Sequence, residues 1–99
     1  MVDDFDVKSV REDMRPYAEI LHRFTSGMIS APEFEAEYLK FAKKDERIHG
    51  QPAFGIIDRM FADVDEYFDD PDETPEERAR AADILRRQAQ DALNKLRKL

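Results

Sequence analysis

The sequence predicts an all-α protein, a compact antiparallel four-helix bundle forming one domain over residues 1–99. Three features lead there. Apolar residues recur at spacings of three and four, no stretch alternates with period two for long enough to build a sheet, and the three Gly and five Pro fall almost wholly between the periodic segments. A chain of 99 residues is long enough for one core and too short for two. Apolar residues make up 41% of it and charged residues 39%, with seven Phe and three Tyr in the apolar share, which is enough to order the chain around a modest core.

The first dozen residues show no clear period and read as a frayed extension or a short extra turn. From about Asp13 to Ser26, Met14, Tyr17, Leu21 and Phe24 trace the apolar stripe of a first helix, and Gly27 stands where a left-handed terminator is needed. Ser30-Ala31-Pro32-Glu33 then supplies a capping hydroxyl, a proline in the first turn and a glutamate that reaches back. A second helix buries Phe34, Tyr38, Phe41 and Ala42, fades after Lys44 and is broken by Gly50-Gln51-Pro52. Phe54, Ile57, Phe61, Val64 and Phe68 follow a three-four-three-four spacing that places them on the core face of a third helix. Asp69-Asp70-Pro71-Asp72-Glu73 is a turn by composition, and Thr74-Pro75-Glu76-Glu77 repeats the capping logic. The fourth helix runs to the end with Ala79, Ala82, Leu85, Ala89, Leu93 and Leu96 inside. Short connections make sequential helices antiparallel neighbours.

Most catalytic chemistry is absent from this sequence. With no Cys there are no disulfides, thiolate metal sites or cysteine nucleophiles, which fits a reducing compartment. His22 and His49 stand 27 positions apart, too far for a paired metal motif, and Asp63-Val64-Asp65-Glu66-Tyr67 lacks the sixth-position glycine of a calcium loop, so no metal or other cofactor is expected. The chain opens on acids where a signal peptide has bases, and no apolar run approaches the ~18 residues of a membrane span, which reads as cytoplasmic. Arg15 and His22 lie two helical turns apart on one face, an arrangement that suits acid–base cleavage of RNA, but the net charge of −7 opposes nucleic-acid binding. The same charge opposes an anionic membrane. A basic protein is the natural partner.

The charge is concentrated. From Asp58 to Glu77 there are ten acids against one base, Arg59, a net charge of −9, whereas residues 78–99 carry +5. On a helical wheel Asp58, Ala62, Asp65 and Asp69 line one flank of the third helix, with Asp63, Glu66 and Asp70 beside them. At ~1.5 Å per residue Asp58 and Asp65 are ~10 Å apart on a rigid rod. Carboxylates this close repel one another, a cost that is explained if the row must meet a basic cleft.

Tyr17-x-x-x-Leu21-x-x-Phe24-x-x-Gly27-Met28-Ile29-Ser30-Ala31-x-x-Phe34-x-x-x-Tyr38, followed by Ile56-x-x-x-Met60-Phe61-x-x-Val64-Asp65-x-Tyr67 and a closing amphipathic helix, resembles the bacterial self-protective colicin-like immunity proteins. That family includes the colicin D immunity protein and some contact-dependent growth inhibition immunity proteins. The resemblance covers about residues 15–99. It implies a small helical bundle that is not an enzyme and that neutralises a cognate C-terminal toxin domain, a basic nuclease and in the best-known case a tRNase. It further implies that acids of the third helix and following turn occupy the toxin's substrate cleft; the matching positions are Asp58, Asp63, Asp65, Glu66, Asp69 and Asp70, while Asp72 and Glu73 depart from the family pattern. Such a protein is a monomer when free. A second reading is a helical adaptor or antitoxin that associates through Leu85, Leu93 and Leu96 of the fourth helix.

Overall fold

The computed structural model describes residues 10–47, 49–67 and 72–99. A 3-10 turn over Glu12–Met14 leads into α1 (Arg15–Thr25), α2 (Ala31–Lys44), α3 (Ala53–Glu66) and α4 (Pro75–Arg97). The expected positions Phe68, Asp69, Asp70 and Pro71 lie outside the described residues, as do residues 1–9.

Local chemistry sets the boundaries. An α-helix starting at Asp13 would need an N–H from Pro16, which has none, so the entry is a tighter 3-10 turn and the α-helix begins at Arg15. The end of α1 is a Schellman motif. Gly27 takes φ 84°, its N–H bonds to the Phe24 carbonyl at 3.1 Å, and the Met28 N–H bonds to the Arg23 carbonyl at 2.8 Å. At the start of α2 the capping box is complete: the Glu33 N–H donates to Ser30 Oγ (3.3 Å) and the Ser30 N–H donates to Glu33 Oε1 (3.1 Å). At the start of α4 half of the box forms, since Glu77 N–H donates to Thr74 Oγ1 (3.1 Å) while the Glu77 carboxylate takes the Thr74 hydroxyl rather than its amide. α3 begins on Pro52, which offers no side-chain cap, and the Gln51 amide oxygen accepts the Gly55 N–H instead (3.2 Å).

α1 and α3 each pack against both α2 and α4, which closes the four helices into a bundle, and α1 against α4 is the most extensive pairing. The centre is aromatic. Tyr17, Phe24, Phe34 and Tyr38 are all buried; Phe24 stacks on Phe34 at 4.3 Å, and Tyr38 lies 5.7 Å from both Phe34 and Tyr17. The Tyr38 hydroxyl donates to the Ile57 carbonyl (2.8 Å), tying α2 to α3 through a buried bond. α4 contributes Leu85, Ala89, Ala92, Leu93 and Leu96, the alanines allowing close approach, and its Arg86 guanidinium covers the Phe24 ring at 4.9 Å. Val10 is buried too, so the segment before α1 joins the core rather than fraying at that point.

Three core expectations need correction. In α2, Phe41 and Ala42 are only half-buried, at the edge of the core. In α3 the buried residues are Ala53, Ile57, Met60 and Val64, whereas Phe54 is 50% exposed and Phe61 only half-buried. The core face is therefore turned by about 50° from the one that the Phe spacing suggested. Four rings from α1 and α2 already fill the centre, and the bond from Tyr38 to the α3 backbone demands close approach, which small Ala53 and flexible Met60 permit and another pair of rings does not. In α4, Ala79 is exposed and Ala82 half-buried. The 23 residues of α4 outrun the 14 of α3 and the 11 of α1, so its first turns have less to pack against.

Candidate functional site

The rotation of α3 also decides which neighbouring helix its acids face. Asp58 lies on the flank turned toward α2, in one groove with Ala42 and Lys43, and Asp65 follows two turns on along the same flank; Asp63 and Glu66 lie on the flank turned toward α4, in grooves with Arg87, Gln88 and Ile84. Exposed Ala62 separates the two rows. Asp58, Asp65 and Glu66 are exposed and enter no hydrogen bond or ion pair among the described residues, while half-buried Asp63 stands 3.4 Å from Arg59. Asp58 and Asp65 thus share one flank, with Asp63 and Glu66 on the other side of Ala62. Asp69 and Asp70 lie outside the described residues.

On the α2 side the groove, of about 290 Å³, is floored by Tyr17, Ala42 and Ile57 and edged by Phe54, Asp58 and Phe61. On the α4 side a wider groove of about 610 Å³ mixes Arg59, Arg87 and Lys95 with Asp63 and Asp91.

A buried polar cluster that the sequence reading missed forms the far wall of the α2-side groove. His49 Nδ1 lies 2.9 Å from Asp13 and Nε2 lies 2.7 Å from Asp45; Asp45 also accepts the Tyr17 hydroxyl at 2.6 Å and Arg47 at 2.9 Å. Arg11 bonds both Asp13 oxygens (2.6 and 2.7 Å) and the His49 carbonyl (2.8 Å). The side chains of His49 and Asp45 are only 3% and 4% exposed, so each polar atom needs the partner it has. The Arg11 hydrogen bond, joined by that from His49, holds the Asp13 carboxyl well below the usual range against the opposing effect of burial. Burial acts to raise the Asp45 carboxyl, but the hydrogen bonds from Arg47, Tyr17 and His49 outweigh it and hold that group well below the usual range as well. The Asp45/His49 spacing of four was a visible signal. Asp13, 36 residues from His49, gave none.

This cluster has the chemistry of a clasp. Both His49 ring nitrogens face carboxylates, which leaves neither for a metal or a substrate proton. The other pair once considered for acid–base work is also engaged, since Arg15 Nε donates to the Val10 carbonyl at 3.1 Å and His22 has a partner. Among the described residues no group of three or more His, Cys, Asp or Glu is placed to hold a metal ion, and no helix is long and apolar enough to cross a membrane. The association surface of the second reading is used up: Leu85, Leu93 and Leu96 are 1%, 2% and 1% exposed, because these residues are the contribution of α4 to the bundle core.

Fold and surface together define a small helical module that leaves carboxylates and the Phe54 ring exposed along α3, a mixture suited to binding another protein. The chain matches the model of the bacterial self-protective colicin-like immunity family over residues 13–96, all but the last residue of the helical bundle, and it belongs to that family. It is an immunity protein, a protein that neutralises a toxin. Searches of curated proteins and of solved structures gave no match.

Proposed function

We propose that this immunity protein neutralises a basic nuclease toxin domain, a tRNase in the reading the family favours, by presenting the acids of α3 where the phosphates of the nucleic acid bind. The observation that carries this is the state of Asp58 and Asp65: both are exposed, neither has an ion-pair partner among the described residues, and they lie on one flank of a helix whose opposite face is anchored in the core. Glu66 adds an open charge on the neighbouring row. Unpaired carboxylates on a rigid element steer a basic partner and lose little freedom on contact. The protein acts by binding, with no catalytic step of its own, and it acts in the cytoplasm, where tRNA is found.

The test is the double reversal Asp58→Lys with Asp65→Lys. Both positions are on the surface, so the bundle keeps its helicity and its melting transition, while protection of cells expressing the toxin domain is lost. The corresponding Asn variants bind the purified toxin domain more slowly and less tightly, without abolishing capture. Wild-type binding weakens with salt, since attraction between exposed charges is screened beyond about 10 Å at ~0.1 M ionic strength. Unchanged affinity and salt dependence in the Lys variant would place recognition on another face.

A further inference from the structure

The turn of α3 away from its expected phase leaves Phe54, Asp58, Phe61 and Asp65 at steps of four, three and four, an alternation of ring and carboxylate along one flank. Phe54 is 50% exposed although a core-facing position for it was open to the sequence, and the α2-side groove of about 290 Å³ runs beside the first three of these residues. The far wall of that groove does not depend on a partner for its shape. His49 lies between Asp13 and Asp45, and Tyr17 and Arg47 both bond to Asp45, so Asp45, Arg47 and His49 are clasped in place before anything binds.

The charges lining the groove decide what fits. Arg47 is paired with Asp45, and His49 lies between its two carboxylates; this leaves Asp58 as the open anion and Lys43, on the α2 rim, as the open cation. Lys43 offsets part of the Asp58 charge, so charge alone does not decide which cation fits. A ring face beside an open carboxylate selects by shape. A guanidinium stacks on a ring with its plane and meets a carboxylate with two parallel N–H groups, whereas an ammonium is a compact, strongly hydrated point charge.

We propose that the Phe54–Asp58–Phe61–Asp65 flank is an arginine-selective anchor, taking one arginine side chain of the toxin into the groove at Asp58 between the two rings and a second at Asp65. This rests on the reading of α3 as the toxin-binding helix and names the chemistry it recognises. Toxin arginines, rather than basic charge in general, then set which toxin is captured.

The test uses two synthetic peptides on the intact isotope-labelled protein, acetyl-Arg-Gly-Arg-Gly-Arg-amide and its Lys counterpart, followed by NMR titration. The expected result is saturable shifts centred on Phe54, Asp58 and Phe61, with the arginine peptide bound about fivefold more tightly than the lysine peptide. Phe54→Leu, which keeps an apolar side chain but removes one ring face, narrows the difference between the two peptides, and because Phe54 is half exposed the variant melts like the parent. Lys43→Ala tightens both peptides and leaves their ratio unchanged. Equal affinities, shifts centred on Asp63 and Glu66, or no saturable shift would each overturn the arginine site. If that happens while Asp58→Lys with Asp65→Lys still abolishes protection, the anchor is removed and the acidic-face reading stands.

Discussion

Phe54 and Met60 sit six residues apart on one helix with opposite surroundings, Phe54 half exposed and Met60 1% exposed. Their energetic weights should be opposite to their hydrophobicity. Met60→Ala removes a fully enclosed side chain and costs about 2–5 kcal/mol, whereas Phe54→Ala loses part of an already wet ring and costs below about 1 kcal/mol. Urea denaturation of the two variants checks this; equal losses would return α3 to the phase its Phe spacing suggests. Tyr38 carries a second residue-scale expectation. Tyr38→Phe keeps the ring packing and deletes only the 2.8 Å bond to the Ile57 carbonyl, a loss of about 1 kcal/mol by the same measurement.

The helix starts differ in ways that single substitutions resolve. Ser30→Ala removes the acceptor of the Glu33 amide and costs about 0.5–2 kcal/mol, and Thr74→Ala, which strips the Glu77 amide in the same way, falls in that range. The glutamates separate the two caps. Glu33 reaches back to the Ser30 amide, and this bond, together with the Ser30 side chain, lowers its carboxyl from the ordinary value; Glu77 makes no such bond to the Thr74 amide. Glu33→Gln keeps an oxygen acceptor and holds most of the stability, Glu33→Ala loses it, and Glu77→Ala loses less than Glu33→Ala in thermal melts. Equal effects of the two alanine variants would mean that α4 closes its box in solution.

At the scale of the molecule the clasp around His49 joins the 3-10 turn, α1 and the α2–α3 connection through polar bonds. Its acid response has a defined sign. The Asp13 and Asp45 carboxyls are held below the usual range in the folded state, so their contribution is fully present above the unfolded value of about 4 and is lost as pH falls through it toward the folded values. The stability gap between wild type and Asp45→Asn in urea should therefore be widest near neutral pH and close as pH falls below about 4. A gap independent of pH would mean that the carboxylate charge does not matter. The burial of Leu85, Leu93 and Leu96 leads to a companion expectation: the free protein elutes from size exclusion as a monomer, since the stripe that would zip two copies together is already occupied.

Four helices, their capping residues and the left-handed turn at Gly27 were legible from the sequence because each depends on groups within a few positions of one another: Ser30 with Glu33, Thr74 with Glu77, and the amides of Gly27 and Met28 with the carbonyls of Phe24 and Arg23. The acidic bias of the region from Asp58 to Glu77 was equally plain, being composition. The phase of α3 was not, since a three-four spacing of Phe54, Phe61 and Val64 competes with an equally regular spacing of Ala53, Met60 and Val64, and the sequence alone does not say which stripe is needed. That choice fell to the tertiary structure. The rings of α1 and α2 fill the centre, the bond from Tyr38 draws the α3 backbone inward, and the helix buries its small and flexible residues; this turns Phe54 and Phe61 outward beside Asp58 and sets which acids face α2 and which face α4. Likewise only the folded chain brings Asp13 to His49 across 36 residues, because a buried imidazole takes the partners that packing supplies, at whatever distance along the chain they lie.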